Sequence, residues 1–173
     1  MAEMADRGSI KEFTKMKLSA LLLRMVYPSV LSDFASQMDL GKVKERLTRI
    51  GFNAGKEFFQ YYKVKGKKIE KILKEIYKNI WDSKVKIKKI EEDKWLLESK
   101  DCPICGDLPP LELENLHYCE PVGGFVEAYI NELIEIRNIG IGTRKIKVRT
   151  VQSKCSSDTE TCIQELIILG GSQ

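Results

Sequence analysis

The segment Lys42–Tyr62, with the sequence KVKERLTRIGFNAGKEFFQYY, gives the clearest indication of how this chain folds. Its apolar residues recur at intervals of three and four, which is the repeat of one face of an α-helix. That face comprises Val43, Leu47, Ile50, Ala54, Phe58 and Tyr61. Gly51 and Gly55 lie one turn apart, and each costs a helix about 1 kcal/mol relative to alanine. Two explanations follow: another helix packs closely against these glycines, or they leave space for a ligand.

Helical spacing continues on both sides of this segment. Residues 9–26 have the pattern of an amphipathic helix, which we expect to end or kink at Tyr27-Pro28 because the residue before proline avoids the helical conformation. A short helical piece follows near residues 30–34. Residues 67–81 repeat apolar side chains at helical intervals. The N-terminal half of the chain is therefore predicted to be helical.

The repeat changes from helical spacing to strict alternation after Asp82. Residues 84–99 alternate on both sides of a polar turn, which predicts a β-hairpin. Residues 122–136 have helical spacing, and residues 145–150 and 162–169 read as two further strands. The predicted fold is α+β: a helical N-terminal half followed by β-β-α-β-β, with an antiparallel sheet packed against helices in one domain, 1–173.

The composition is that of an ordinary globular domain. The chain has 173 residues, of which 43% are apolar and 31% charged. No apolar run approaches the roughly 18 residues of a membrane span, and the N-terminus lacks the pattern of a signal peptide. We therefore expect a cytoplasmic protein without a membrane span.

Positive charge is concentrated in the middle of the chain. Residues 41–100 contain 18 Lys and Arg against 9 Asp and Glu. Lys67, Lys71, Lys74 and Lys78 share one helix face, which could contact phosphates. Aromatic residues are scarce on that face, and the chain's 22 Lys are typical of hyperthermophile proteins. A nucleic-acid partner is therefore not favoured.

The cysteines carry the strongest chemical signal. An odd number, five, in a cytoplasmic setting argues for metal binding or free thiols and against a disulfide framework. Cys102 and Cys105 have the spacing of a zinc knuckle, and four of the five cysteines could meet at one corner of the sheet. The alternative is that they are buried free thiols that act as small hydrophobes. His117 is either a further zinc ligand or a capping or surface group.

Enzyme motifs are absent or incomplete. Residues 51–57 superficially resemble a phosphate-binding loop, but the glycines are one residue too close and Glu57 stands where Ser or Thr should bind magnesium. Gly140 and Gly142 lack the third glycine of a dinucleotide fingerprint. With one histidine in the chain, a Ser-His-Asp triad is not credible. We predict no catalytic residue, which leaves enzymatic activity uncertain.

Two stretches of the sequence resemble a known family. Glu45–Gly55, with its Gly-aromatic-x-x-Gly step, resembles the helix of the 4-vinyl-reductase-type domain and of the related TRAPP transport-particle subunits. The second runs from Glu98-Ser99 through Cys119 and Gly123-Gly124 to Lys154-Cys155 and Cys162, and resembles the same domain's C-terminal signature. The resemblance implies an α+β fold of the NO-signalling/Golgi-transport ligand-binding type, often dimeric, that holds small apolar or aromatic ligands.

The resemblance also implies a zinc site. Similar domains in phenol-sensing regulators bind zinc through three Cys and a Glu, and Cys119, Cys155 and Cys162 match the three cysteines. The Glu is replaced by Gln152 here, so the fourth ligand is expected to be Cys102 or Cys105, with His117 as the remaining candidate.

The expected ligand pocket lies between the long helix, the Gly123-Gly124 helix and the sheet. The residues expected to line it are Gly51, Phe52, Gly55, Tyr118, Gly124, Phe125 and Tyr129. The resulting prediction is an archaeal-type, non-catalytic small-molecule-binding or sensor protein with a structural zinc. It forms a homodimer through the helical segment 1–40, while 41–173 forms the ligand- and zinc-binding core. The alternatives are a scaffold subunit like the transport-particle relatives, or a tetrapyrrole vinyl-reductase-related protein.

Overall fold

The computed structural model describes residues 24–106, 108–111, 113, 115–155 and 159–170. It confirms the predicted α+β fold, with four helices and a four-stranded antiparallel sheet in the described part of the chain. The predicted helical stretch 9–23 lies outside the described residues. None of the described helices combines the length and apolarity needed to cross a bilayer. The elements are α1 (24–37), α2 (Leu40–Tyr61), α3 (Ile69–Trp81), β1 (Lys86–Glu91), β2 (Lys94–Ser99), α4 (Glu120–Ile136), β3 (Ile146–Gln152) and β4 (Cys162–Ile168).

Helix α1 continues through Pro28, so of the two outcomes expected at Tyr27-Pro28, an end or a kink, the end is wrong. Proline removes one N–H donor from a helix, and a nearby side chain bonds a carbonyl on the same turn: the Ser29 hydroxyl donates to Met25 O at 2.9 Å. The Tyr27 hydroxyl also donates to Tyr118 O at 2.8 Å. Contacts with the rest of the fold therefore outweigh the local preference of the X-Pro pair.

The sheet has the strand order β1-β2-β4-β3, and all neighbouring strands are antiparallel. The hairpin β1-β2 is the one predicted from alternation. Strand β4 returns between β2 and β3, so that Cys162, its first residue, lies opposite Ser99, the last residue of β2. This register brings the start of the loop after β2 to the edge of the sheet where β4 begins.

Helices α2 and α4 pack with their backbones in direct contact at three glycines. A Cβ atom on Gly51 would lie 1.8 Å from Pro121 O, and one on Gly124 would lie 2.0 Å from Thr48 O. A Cβ on Gly55 would lie 2.5 Å from the carbonyl oxygen of Phe125. Close packing, the first of the two explanations for the glycines, therefore describes all three positions, and backbone fills the space that a pocket between them would need.

The buried face of α2 differs from the predicted stripe. Val43 and Leu47 are buried as expected, but Ile50 is 57% exposed and Tyr61 is 78% exposed. The residues that face the protein interior are Val43, Leu47, Gly51, Gly55 and Phe59. The apolar pattern gave the wrong face for the C-terminal part of α2, because the glycine ridge forms the contact with α4.

The apolar side chains form two separate cores. The larger one lies between the sheet, α3, α4 and the C-terminal half of α2, and includes Ile72, Ile76 and Tyr129, all fully buried. The smaller one lies beneath α1 and the N-terminal half of α2. It contains Leu31, Val43, Leu47, Leu116, Tyr118, Val122 and all five cysteines.

Candidate metal centre

Four buried cysteines converge within the smaller core. The sulfur atoms of Cys102, Cys105, Cys119 and Cys162 all lie within 4.8 Å of one another, and each residue is at most 5% exposed. All five cysteines are free thiols. In a tetrahedral zinc site with Zn–S bonds of about 2.3 Å, neighbouring sulfurs are about 3.8 Å apart. The spacing and the chemistry of the four donors thus fit a soft metal ion.

The sheet register places three of these sulfurs together. Cys162 opens β4 directly opposite Ser99, where β2 ends and the Cys102–Cys105 loop begins. The Ser83 hydroxyl lies 3.1 Å from Ser99 Oγ and donates to Asp101 O at 2.6 Å. The start of the loop is thereby fixed beside Cys162. The two-residue spacing of the knuckle then presents both of its sulfurs to the same point.

The fourth sulfur stands at the N-terminus of a helix. Cys119 is the N-cap of α4 and is fully buried. The partial positive charge at a helix N-terminus favours a thiolate there. Tyr27 on α1 donates to the carbonyl of Tyr118, the residue before it. The position of this cysteine is therefore set jointly by α4 and α1.

The crowding of the thiols shifts their pKa values, upward for some of the cysteines and downward for others. Hydrogen bonding with Cys102 raises the pKa values of Cys105 and Cys119 well above the ordinary value for a thiol. Hydrogen bonding from Cys102 lowers the pKa of Cys162. Buried thiolates repel one another, so only part of the group ionises without a compensating cation. A bound divalent ion would supply that charge and hold all four as thiolates.

Cys155 lies at the edge of this group instead of within it. Its Sγ donates to Cys105 O at 3.2 Å, and its N–H donates to Ser153 Oγ at 3.2 Å. The expected ligand set was Cys119, Cys155 and Cys162 with one knuckle cysteine. The structure instead brings both knuckle cysteines together with Cys119 and Cys162.

The other two positions considered for the fourth ligand stand outside the group of four sulfurs. His117 is half-buried, and burial lowers its pKa. The side-chain amide of Gln152 donates to Thr159 Oγ1 at 2.7 Å and to Thr161 O at 3.2 Å, so it ties β3 to the residues before β4.

The residues expected to line a ligand pocket have different surroundings in the structure. Gly51, Gly55 and Gly124 form the helix contact described above. Phe125 and Tyr129 stack on each other in the larger core with ring centroids 6.0 Å apart. Tyr118 belongs to the smaller core. Phe52 lines a surface groove of about 470 Å³ between α2, α4 and β3.

Sequence reasoning missed a buried carboxylate beside the cysteines. Glu120 is 2% exposed, and its Oε1 lies 3.2 Å from Lys44 Nζ on α2. Burial raises its pKa to about 7, against the opposing influence of Lys44. An acidic residue in the first turn of a helix, directly after a cysteine, was the available signal. The ion pair joins α2 to the N-terminus of α4 next to Cys119.

Comparison with known proteins finds a similar fold but no similar sequence. The sequence matches no protein-family model and no curated protein. The fold is similar to that in a crystal structure of trafficking protein particle complex subunit 3 from Naegleria fowleri, covalently bound to palmitic acid. The TM-score is 0.69 at 9% sequence identity, and the match covers 89% of this chain and 97% of that chain. The fold expected from the resemblance to transport-particle subunits is thus confirmed, and the likeness extends to the fold alone.

Proposed function

We propose that this protein is a non-catalytic assembly subunit whose binding surface is held in place by a structural zinc ion. The observation that carries the proposal is the group of four buried sulfurs at the point where α1, α2, α4 and the sheet meet. The fold supports it, because the similar structure is that of a subunit of a larger complex.

The donor set favours zinc in a structural role. A tetrahedral set of four thiolates selects zinc or iron among the common metals. Four protein ligands leave no open coordination position, which is the arrangement of structural zinc sites. Cys102, Cys105, Cys119 and Cys162 would hold the ion. The ion would cross-link the loop after β2, the start of β4 and the N-terminus of α4.

Helix α1 supplies the proposed binding surface. Its inner side is buried at Leu31 in the smaller core, while Met25 is 64%, Val26 50% and Val30 39% exposed on its outer side. The sequence before α1 is also apolar, including Leu21-Leu22-Leu23. Apolar surface of this kind is typical of protein–protein interfaces. The proposed partner is a second copy of the chain, in a symmetric dimer, in a compartment that keeps thiols reduced.

Two variants separate the interface from general surface effects. Val26→Glu places a charge on the outer side of α1, and Ile136→Glu is the matched control because Ile136 is 58% exposed at the end of α4. Light scattering should give a dimer mass for the wild type and for Ile136→Glu, and a monomer mass for Val26→Glu. A monomeric wild type with one zinc bound would refute the interface and leave the metal site standing.

A small apolar ligand is a second candidate function. The supporting observation is the palmitic acid covalently bound to the similar structure. The resemblance to the 4-vinyl-reductase-type domain, which implies a small apolar or aromatic ligand, also favours this candidate. A groove of about 600 Å³ between α1 and the loop before α4, lined by Pro28, Ala35, Leu111 and Leu113 among others, offers space for such a ligand.

The ligand candidate is tested by adding free palmitic acid and by filling the groove. Palmitic acid should raise the melting temperature of the wild type and appear as a bound mass in native mass spectrometry. Ala35→Phe should abolish both effects without changing the zinc content. Equal responses from the wild type and the variant would rule out the groove.

A further inference from the structure

The fifth cysteine, Cys155, contacts the four-sulfur group and has no role in the function proposed above. Its Sγ donates to Cys105 O at 3.2 Å. Ser153 Oγ lies 3.3 Å from Cys105 Sγ and accepts the N–H of Cys155 at 3.2 Å. The turn after β3 and the knuckle are therefore joined at one point, where Cys105 and Cys155 are neighbours.

This point is also where a surface cleft reaches the site. A cleft of about 310 Å³ is lined by Cys105, Gly106, Pro110, Lys154 and Cys155 among others. Cys105 is 1% exposed and Cys155 is 8% exposed, so Cys155 lies on the solvent side of its neighbour. A reagent or metal ion entering by this cleft meets Cys155 and Cys105 together.

The backbone of Cys155 is held by hydrogen bonds on both its N–H and its carbonyl, and a single side-chain torsion sets where its sulfur lies. Leu111 N–H donates to Cys155 O at 2.6 Å, and the N–H of Cys155 is bonded to Ser153. Rotation about the Cα–Cβ bond moves the sulfur between staggered positions without moving the chain. A fifth sulfur thus lies beside a site that takes four ligands.

We propose that Cys155 is an exchange ligand, whose sulfur replaces that of Cys105 on the bound ion and so lets metal enter and leave through the cleft. The inference rests on the proposed zinc site. In this step the bond from Cys155 Sγ to the metal forms, the bond from Cys105 Sγ breaks, and the proton of the Cys155 thiol passes to Cys105. The number of bound thiolates and the net charge stay the same. Zinc tolerates this exchange because it has no geometric preference from d-electrons and can become five-coordinate.

Substitution with cobalt(II) counts the thiolate ligands directly, because each cobalt–thiolate bond contributes to the charge-transfer absorption. Cys105→Ser should retain the four-thiolate spectrum, because Cys155 takes the vacant position. The double variant Cys105→Ser/Cys155→Ser should fall to three thiolates. Cys102→Ser is the control and should also fall to three, because the sulfur of Cys155 is hydrogen-bonded to Cys105. A three-thiolate spectrum for Cys105→Ser alone would overturn the exchange.

A second measurement decides the matter if Cys105→Ser does not fold. Cys155→Ser keeps all four sulfurs of the site. A chelator should remove zinc from this variant about tenfold more slowly than from the wild type, a size typical of substitutions next to the ligands of a metal site. Equal extraction rates would then overturn the inference. A wild type that binds no metal at all would overturn the zinc site itself, and the two failures are therefore distinguishable.

Discussion

The two cores of this protein are built by different means. The larger core contains branched and aromatic side chains on regular helices and strands, such as Ile72, Leu73 and Ile76, which are all fully buried. The smaller core holds five thiols, and several of its residues come from the loop between β2 and α4. Loops gain little from regular backbone hydrogen bonding, and such regions open first in native proteins. We infer that the larger core is stable by itself, whereas the smaller one depends on its metal ion.

Metal removal should have the largest effect, and it should be confined to one region. Structural zinc contributes on the order of 10 kcal/mol of apparent binding free energy. After chelation, hydrogen exchange should accelerate in α1 and in residues 100–119, while β2 and β4 stay protected. Adding zinc back serves as the control and should restore the original pattern. Uniform loss of protection over both cores would show that they are not separate.

Truncating one buried side chain in each core tests whether zinc binding depends on the smaller core alone. Ile76→Ala in the larger core and Leu47→Ala in the smaller one remove side chains that are 0% and 3% exposed. Each should lower the free energy of unfolding by about 2–5 kcal/mol. Chelator competition should show weaker zinc binding for Leu47→Ala and unchanged binding for Ile76→Ala. Equal zinc affinities would mean that the metal site does not depend on packing in the smaller core.

The next largest effect is a loss of stability when the glycine contact between α2 and α4 is disturbed. Gly51→Ala places a methyl group 1.8 Å from Pro121 O, so it should destabilise the fold by about 1–3 kcal/mol or more. Gly123→Ala is the matched control, because its Cβ would meet its nearest atom at 3.6 Å, an ordinary contact. Denaturant unfolding should show a large loss for the first variant and little change for the second. Little change for Gly51→Ala would revive the open-pocket explanation.

The dependence of metal binding on pH is the smallest of these effects. The pKa values of Cys105 and Cys119 are raised by their hydrogen bonds with Cys102, so these thiols keep their protons over a wider pH range than an ordinary thiol. Metal must displace those protons, and its affinity should therefore fall as the pH falls. Competition titrations below and above neutral pH measure the change. An affinity independent of pH would exclude thiolate ligands.

The fold could be predicted from the sequence because its signals are local. Helical spacing in residues 67–81 and alternation in residues 84–99 each arise within one element, and both predictions are confirmed. A helix end at Tyr27-Pro28 and the apolar stripe as the buried face of α2 are the expectations that the structure contradicts. In both places the actual structure depends on contacts with distant residues, such as Tyr27 with Tyr118 and Gly51 with Pro121.

For the candidate metal site, the sequence identified the cysteines involved but not which four of them meet. Cysteine spacing and the resemblance identified all of the sulfurs that meet. The register of Ser99 opposite Cys162 decides that both knuckle cysteines reach the group, and no single segment of sequence contains that information. The resemblance assigned Cys155 to the set, whereas the structure places it against Cys105.

X-ray absorption at the metal edge, on protein purified from metal-replete cells, tests the central claim most directly. The four-cysteine site predicts one zinc ion per chain, bound by four sulfur atoms at about 2.3 Å. Protein that contains no stoichiometric metal, or an ion with nitrogen or oxygen ligands in place of sulfur, would contradict it.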